Sequence, residues 1–391
     1  MKKIQLRINL VRLEEECVYM TQAKGLAGVV AAHSAISSII DDQLTYVGYK
    51  IDDLAEQSTF EEIIYLLWHL KLPTEQELNT FKKDLADHAT LPQEVITHLR
   101  SYDLTKVRPM AALRTAVSFL GMLDPEADEI NDEANLRKAV RMQARIASIV
   151  AAISRIRQGK DPVEPNKELS YAANFLYMLN GKEPSEMETK AIDKALVLHA
   201  DHELNASTFT ARVCVATLSD IYSGVTAAIS ALKGPLHGGA NEGVMKMLLE
   251  IGEEENALPY VKEKLANKEK VMGIGHRVYK SGDPRAKHLK KMSEELTKIT
   301  GQPKFYNISV QIEEYIKKEK GLPANVDFYS ASVYHSLGIE TDLFTPIFAI
   351  SRVSGWIAHI LEQYGDNRLI RPRAEYTGPE HQIYVPLSER A

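Results

Sequence analysis

Two long apolar stretches of this chain carry charges that they cannot shed cheaply. Ala206–Leu232 contains Arg212 and Asp220, and Leu343–Leu361 contains Arg352 among Phe344, Ile347, Phe348, Ile350, Val353 and Trp356. Ionised groups are expensive at the centre of a bilayer, so neither stretch reads as a membrane span. Both read instead as helices buried inside a protein body, and that body must be thick enough to cover them. The chain has 391 residues, beyond the roughly 250–300 at which a single core usually stops growing, so two domains are expected.

Elsewhere helical signals dominate and strand signals are few. Ser58-Thr59-Phe60-Glu61 has the form of a capping box, and the Ile63–Trp68 run behind it ends before Pro73. Pro284–Ile299 spaces Leu289, Met292, Leu296 and Ile299 along one helical face, with Lys287, Lys290, Lys291, Glu294 and Glu295 on the other. Turn residues at 159–165, 181–184, 273–275 and 301–303 separate such segments. No linker or short repeat divides the chain, so two domains would have to be tightly coupled.

Composition narrows the function. A net charge of −6 opposes nonspecific binding to nucleic acid, and 45% hydrophobic with 26% charged residues is ordinary for a globular protein. Only Cys17 and Cys214 are present, which excludes a disulfide framework or a cysteine-rich zinc site and fits a reducing cytoplasm. Arg7 and Arg12 interrupt any apolar core of a signal peptide.

Four places carry candidate chemistry. Gly234–Asn241 puts a proline, two adjacent glycines and His237 after an apolar run, which suits either close approach of a ligand or a tight turn with an incidental histidine. Gly273-Ile274-Gly275 lacks the third glycine of a dinucleotide fingerprint, because Val278 stands there. It reads better as a flexible loop offering amides, followed by His276, Arg277, Lys280 and Arg285 as donors for phosphate or carboxylate. His199 and His202 share a helical face, yet Ala206 occupies the place of a second zinc-protease histidine. No metal is expected, His199 reads as structural, and His202 is left as a ligand donor. Asp327, beside Phe328 and Tyr329, suits a general base of raised basicity or a helix cap. Arg352 needs an anionic partner, from the protein or from a substrate. No Gly-x-Ser-x-Gly elbow is present.

Together these segments resemble the citrate synthase family. The likeness runs through Gly25–Val30, Leu44–Leu54, Pro109–Ser118, Leu198–Arg212, Lys233–Met247, Gly273–Arg285, Asn325–Leu337 and Pro346–Arg373, and the run Gly273–Arg285 is similar to the family signature. It implies an all-α fold in which a large domain, residues 1–238 and 341–391, embraces a smaller inserted helical domain, residues 239–340. It also implies a homodimer with Arg371 reaching into the partner's site, and a hinge closure that excludes water.

The resemblance further implies acetyl-CoA and oxaloacetate as substrates, no permanently bound cofactor, and no nucleic-acid or membrane partner. By position, Asp327 is the base that takes a methyl proton and His237 donates to the thioester oxygen. His276 polarises the ketone, and His202, Arg285, Arg352 and Arg371 hold the dicarboxylate. The Val271, Met272, Gly273, Ile274 and Gly275 backbone is similar to an adenine loop, with Arg277 and Lys280 near the phosphates. Arg108 stands where many relatives have histidine, and Met1–Lys24 matches poorly. A 2-methylcitrate synthase would use the same residues on propionyl-CoA, and a silent CoA- or dicarboxylate-binding regulator is a third reading. No elaborate control by NADH is expected.

Overall fold

The computed structural model describes residues 24–26 and 28–390. It separates the chain into a unit up to Ala35 and a body from Ile36 onward. In the first unit, residues 24–26 form one short 3-10 turn with Gly25 at φ 65°. The weakly matching segment 1–23, with Cys17, lies outside the described residues.

The body is almost wholly helical, with sixteen α-helices among the described residues. One small antiparallel sheet, β1 (Ser37–Ile40), β2 (Gln43–Tyr46) and β3 (Tyr49–Lys50), sits at its start, with Ser37 opposite Tyr46. The helix Phe344–Gly365, called the central helix below, is buried along its length up to Ile360, and its Arg352 and Trp356 are almost entirely covered. It is long and apolar enough to cross a membrane, but here other helices supply the apolar surroundings. The other apolar stretch forms two packed helices, Ala206–Val215 and Ile221–Leu232. Asp220 separates them, and its carboxylate caps the second by accepting the Ser223 N–H at 2.9 Å.

Two local expectations are corrected. The capping box is one residue further on: the Thr59 N–H donates to Glu62 at 2.8 Å, while Ser58 Oγ donates back to the Leu54 carbonyl at 2.6 Å and ends the preceding helix. Glu61 is thereby turned inward, where it accepts the Tyr171 N–H at 3.0 Å. The amphipathic helix starts at Ala286 rather than Pro284, because the Asp283 carboxylate captures the Arg285 N–H at 3.1 Å. Its Leu289, Met292 and Leu296 are buried as expected, but Ile299, at the last turn, is 67% exposed.

The central helix packs against the segment that follows the helix Glu186–His199 so closely that only glycine fits at 355. A Cβ there would stand 2.4 Å from both the Ala200 carbonyl oxygen and Asp201 Oδ1. Trp356 Nε1 donates to Ser207 Oγ at 3.0 Å and Trp68 Nε1 to the Ser354 carbonyl at 2.9 Å, so the helix is fixed in rotation as well as depth. Gly355→Ala is expected to cost about 1–3 kcal/mol, the usual range for overpacking. Thermal unfolding should show a lowered midpoint, whereas Gly365→Ala, with nothing within 4 Å of its Cβ, should leave the midpoint unchanged.

Candidate active site

The charge of Arg352 on the central helix reaches three segments, and each delivers a histidine or a carboxylate. The first runs from His199 to Ser207. Asn205 caps the helix Ala206–Val215 by accepting the Thr208 N–H at 3.1 Å, which leaves the preceding His202 in a loop. His202 Nε2 lies 3.0 Å from the Tyr279 hydroxyl. Burial, and then the charges of Arg285 and Arg352, lower its pKa well below the ordinary imidazole value, so the ring is neutral. His199 instead uses Nδ1 on the Ala195 carbonyl at 2.7 Å, so the two rings are directed to different partners.

The second segment is the turn before the helix Ala240–Ile251. The Ser207 backbone N–H points at His237 Nε2 from 3.3 Å, and Ser207 Oγ lies 2.8 Å from the same nitrogen. A main-chain N–H can only donate, so Nε2 accepts and the imidazole proton resides on Nδ1. Burial, helped by Arg352, pulls this histidine down to about 4. It is thus a neutral hydrogen-bond donor at neutral pH.

The third segment is the loop 271–283 with the start of the helix Val326–Ser336. His276 Nδ1 receives the N–H groups of Val278 at 3.1 Å and Tyr279 at 3.3 Å, which leaves its proton on Nε2. Burial and the Arg285 charge lower its pKa as well. Its ring lies 5.2 Å, centroid to centroid, from that of His202. Asp327 stands in the first turn of its helix, but Asn325 performs the capping by accepting the Asp327 N–H at 3.0 Å. The helix-cap alternative is thereby excluded, and no described residue donates a hydrogen bond to the Asp327 carboxylate. Burial pushes that carboxyl up to about 6, against the pull of Arg285 and Arg352.

The two arginines are held differently. Arg285 forms a fork on Asp283, with Nε at 2.9 Å and Nη2 at 2.8 Å, and Asp283 also accepts the Val326 N–H at 3.0 Å. One carboxylate thus links the arginine to the helix that carries Asp327. Arg352 donates Nε to the His199 carbonyl at 2.6 Å and lies under the Phe348 ring at 4.7 Å. No described carboxylate forms an ion pair with it, and burial pulls it down to about 10.

The 271–275 loop is more constrained than the sequence suggests. Gly273 accepts the Asn325 N–H at 2.9 Å, and the Gly275 N–H donates to the Pro323 carbonyl at 2.8 Å, around an antiparallel bridge of Ile274 with Ala324. The Gly275 amide is therefore already committed, and the loop is pinned rather than flexible. Gly273 is in the left-handed region at φ 75°, and a Cβ there would lie 2.6 Å from Val244 Cγ2. Val271 and Met272 are half-buried beside it, while Arg277 and Lys280 are exposed and pair with no described carboxylate. Arg371 is exposed in the extended segment after the central helix, apart from the cluster within this chain.

A cavity of about 520 Å³ lies elsewhere, lined by Glu61, Lys82, Leu85, Ala144, Tyr171 and Met178 among others, and contains none of these groups. Ser207, Tyr279 and Asp283 were not singled out from the sequence. Asp283 was within reach, since it precedes Arg285 by two residues, but nothing in the sequence ties Ser207 to His237, thirty residues on, which it meets through both its N–H and its Oγ.

The family profile described as "Citrate synthase, C-terminal domain" matches residues 25–373. The chain belongs to the citrate synthase family. "Citrate synthase 2" of Bacillus subtilis is 69% identical over 372 residues, covering 95% of this chain and 100% of that one. A "2-methylcitrate synthase" of Mycobacterium tuberculosis is 42% identical over 362 residues, covering 92% of this chain and 91% of that one. Among solved structures, a ternary complex of the Thermoplasma acidophilum citrate synthase with carboxymethyl coenzyme A and oxaloacetate superposes with a TM-score of 0.88 at 36% identity, covering 94% of this chain and 99% of that one. The all-α citrate synthase fold is therefore the fold of this chain.

The Asp327 carboxyl holds its proton to about pH 6 in the folded protein, against an ordinary value of 3.8. Ionising it costs stability, by an amount that grows from about pH 4 to about pH 6 and is constant above. Asp327→Asn is therefore expected to melt above the parent at pH 7 and level with it at about pH 3.5, as differential scanning fluorimetry across that range would show.

Proposed function

We propose that this protein is a citrate synthase, an acyltransferase that joins acetyl-CoA to oxaloacetate and hydrolyses citryl-CoA to citrate and CoA, the entry step of the tricarboxylic acid cycle. The observation that carries this reading is an Asp327 carboxylate without described hydrogen-bond donors that shares the field of Arg352 with His237 and that of Arg285 with His276, two histidines of lowered pKa each with one N–H left free. Asp327 takes a proton from the acetyl methyl group while His237 Nδ1–H donates to the thioester oxygen, where the enolate charge develops. A carboxylate is far too weak to act on a thioester methyl unless that charge is stabilised as it forms, so the two groups act together. A proton on Asp327 below about pH 6 removes the base.

The new carbon nucleophile attacks the ketone carbon of oxaloacetate, and His276 Nε2–H polarises the ketone oxygen and protonates the alkoxide. Arg285, Arg352, His202 and Arg371 of the partner subunit bind the two carboxylates. The Arg352 guanidinium supports this assignment, because no described protein carboxylate pairs with it and a buried charge left alone is costly. Water then cleaves the thioester and CoA leaves as the thiol. The 271–275 loop borders the CoA site, with Arg277 and Lys280 on the phosphates. We assign residues 239–340 to a small domain that closes on a large one built from 1–238 and 341–391, in a homodimer. A cytoplasmic location suits a chain with two cysteines.

Thiol release from acetyl-CoA and propionyl-CoA, with and without oxaloacetate, tests the reading directly. Turnover that needs oxaloacetate and favours acetyl-CoA is expected. Preference for propionyl-CoA would move the assignment to the 2-methylcitrate reaction, since one methylene is worth only ~1–3 kcal/mol in an apolar pocket. No turnover with either would leave a binding protein. Arg352→Gln is expected to raise the KM for oxaloacetate about ten- to a hundredfold, the worth of a charged hydrogen bond, with the KM for acetyl-CoA little changed.

A further inference from the structure

The hairpin formed by β1 and β2 supplies no reactive group, yet it is bonded to both sides of the site. At its base the Tyr46 hydroxyl lies 3.2 Å from the Val197 carbonyl and 3.1 Å from the Asp201 carbonyl, and accepts the Asp201 N–H at 3.2 Å. Ser37 Oγ donates to the Asp201 carboxylate and accepts the Glu203 N–H at 2.9 Å, while the Ile39 N–H donates to the Glu203 carboxylate. The hairpin is thus bolted to the segment that holds His202.

At its tip, Asp41 and Asp42 both adopt left-handed backbone angles, with φ of 51° and 59°, as a tight two-residue hairpin turn requires. That turn presents the Asp42 carboxylate to the loop behind His276. Oδ1 accepts the Lys280 N–H at 3.0 Å, and Oδ2 accepts the Ser281 N–H at 2.7 Å and its Oγ–H at 2.5 Å. These bonds, the Ser281 hydroxyl foremost, hold the Asp42 carboxyl below its ordinary value, so it is a full anion when it accepts them. Between His276 and this anchor lies Tyr279, whose hydroxyl meets His202 and whose ring lies 4.5 Å from that of His276.

We infer that Asp42 is a positioning residue of the ketone-binding pair: it fixes the His276–Ser281 loop on the same hairpin that holds the His202 segment, and so sets where His276 stands relative to His202. Their own ring contact, 5.2 Å between centroids, ties the rings only to each other. The hairpin ties each of them to a third, rigid element, so the spacing does not depend on substrate being present. The inference rests on His276 and His202 serving oxaloacetate, as proposed above.

The helix that follows the loop has attachments of its own to the same side of the fold. Asp52 pairs with Lys287 at 2.6 Å and His288 at 2.8 Å, and Glu56 meets His288 at 3.0 Å. Removal of Asp42 therefore frees the loop without detaching the helix.

The test compares Asp42→Ala, Asp42→Asn and Ser281→Ala with the parent, measuring kcat/KM for oxaloacetate, its dissociation constant by calorimetry and the melting temperature. Asp42→Ala is expected to lower kcat/KM about ten- to a hundredfold, the scale of misplacing a reacting group, and to weaken oxaloacetate binding at an unchanged melting temperature. Asp42→Asn retains one accepting oxygen for Ser281 and should fall between Asp42→Ala and the parent, as should Ser281→Ala. A kcat/KM within twofold of the parent in Asp42→Ala overturns the inference, and so does a loss matched by a collapse of the melting temperature. His276→Ala is run alongside: full oxaloacetate turnover there would refute the role given to His276 rather than the role given to Asp42.

Discussion

The rest of the structure depends on a guanidinium buried in the middle of its most apolar helix. Arg352 is 2% exposed and surrounded by the side chains that made the stretch look like a core. Such a charge is tolerable only where hydrogen bonds and an anion replace the lost water. The fold supplies the first through the His199 carbonyl and a ring face through Phe348, but no described carboxylate supplies the second. Its charge instead reaches His202, His237 and Asp327, lowering the pKa of each. One costly residue thereby adds to the burial that keeps His202 and His237 neutral, and moderates a carboxyl that burial alone would push higher.

Arg285 shows the opposite solution. Its partner Asp283 satisfies it within the protein and in the same step ties it to the Val326 N–H, at the start of the helix that carries Asp327. Burial works against both charges, yet their mutual attraction keeps Arg285 above and Asp283 below their ordinary values. A paired arginine has a fixed direction and an unpaired one has charge to spare.

Much of this was legible in the chain, for physical reasons that differ from residue to residue. The burial of the 206–232 and 343–361 stretches followed from apolarity interrupted by charge, which excludes lipid. Asp327 stood out because an acid beside Phe328 and Tyr329 must lose water. Its alternative as a helix cap could not be dismissed beforehand, since Asn325 two residues earlier was an equal candidate and only the backbone settles which one caps. The capping box at Ser58 slipped by one because the tandem Ser58-Thr59 and the tandem Glu61-Glu62 fit the pattern in either register. The 271–275 loop looked flexible because its glycines were visible and its bridging partner, Ala324, fifty residues on, was not. Ile299 ended a correct periodicity at a helix end, where the core has already run out.

The imidazoles of His237 and His276 carry their protons on opposite nitrogens, and in both cases a main-chain N–H points at the nitrogen that lacks one. Ser207 sets His237, and Val278 and Tyr279 set His276. Peptide N–H groups are common to every residue but proline, so the protonation pattern at His276 is a property of the path of the chain, while at His237 the Ser207 hydroxyl lies against the same nitrogen as its N–H. Side chains can drift at Val278 and Tyr279 while the proton of His276 stays on the same nitrogen. The chemistry is inherited with the fold's backbone, and is lost only by a change that bends it.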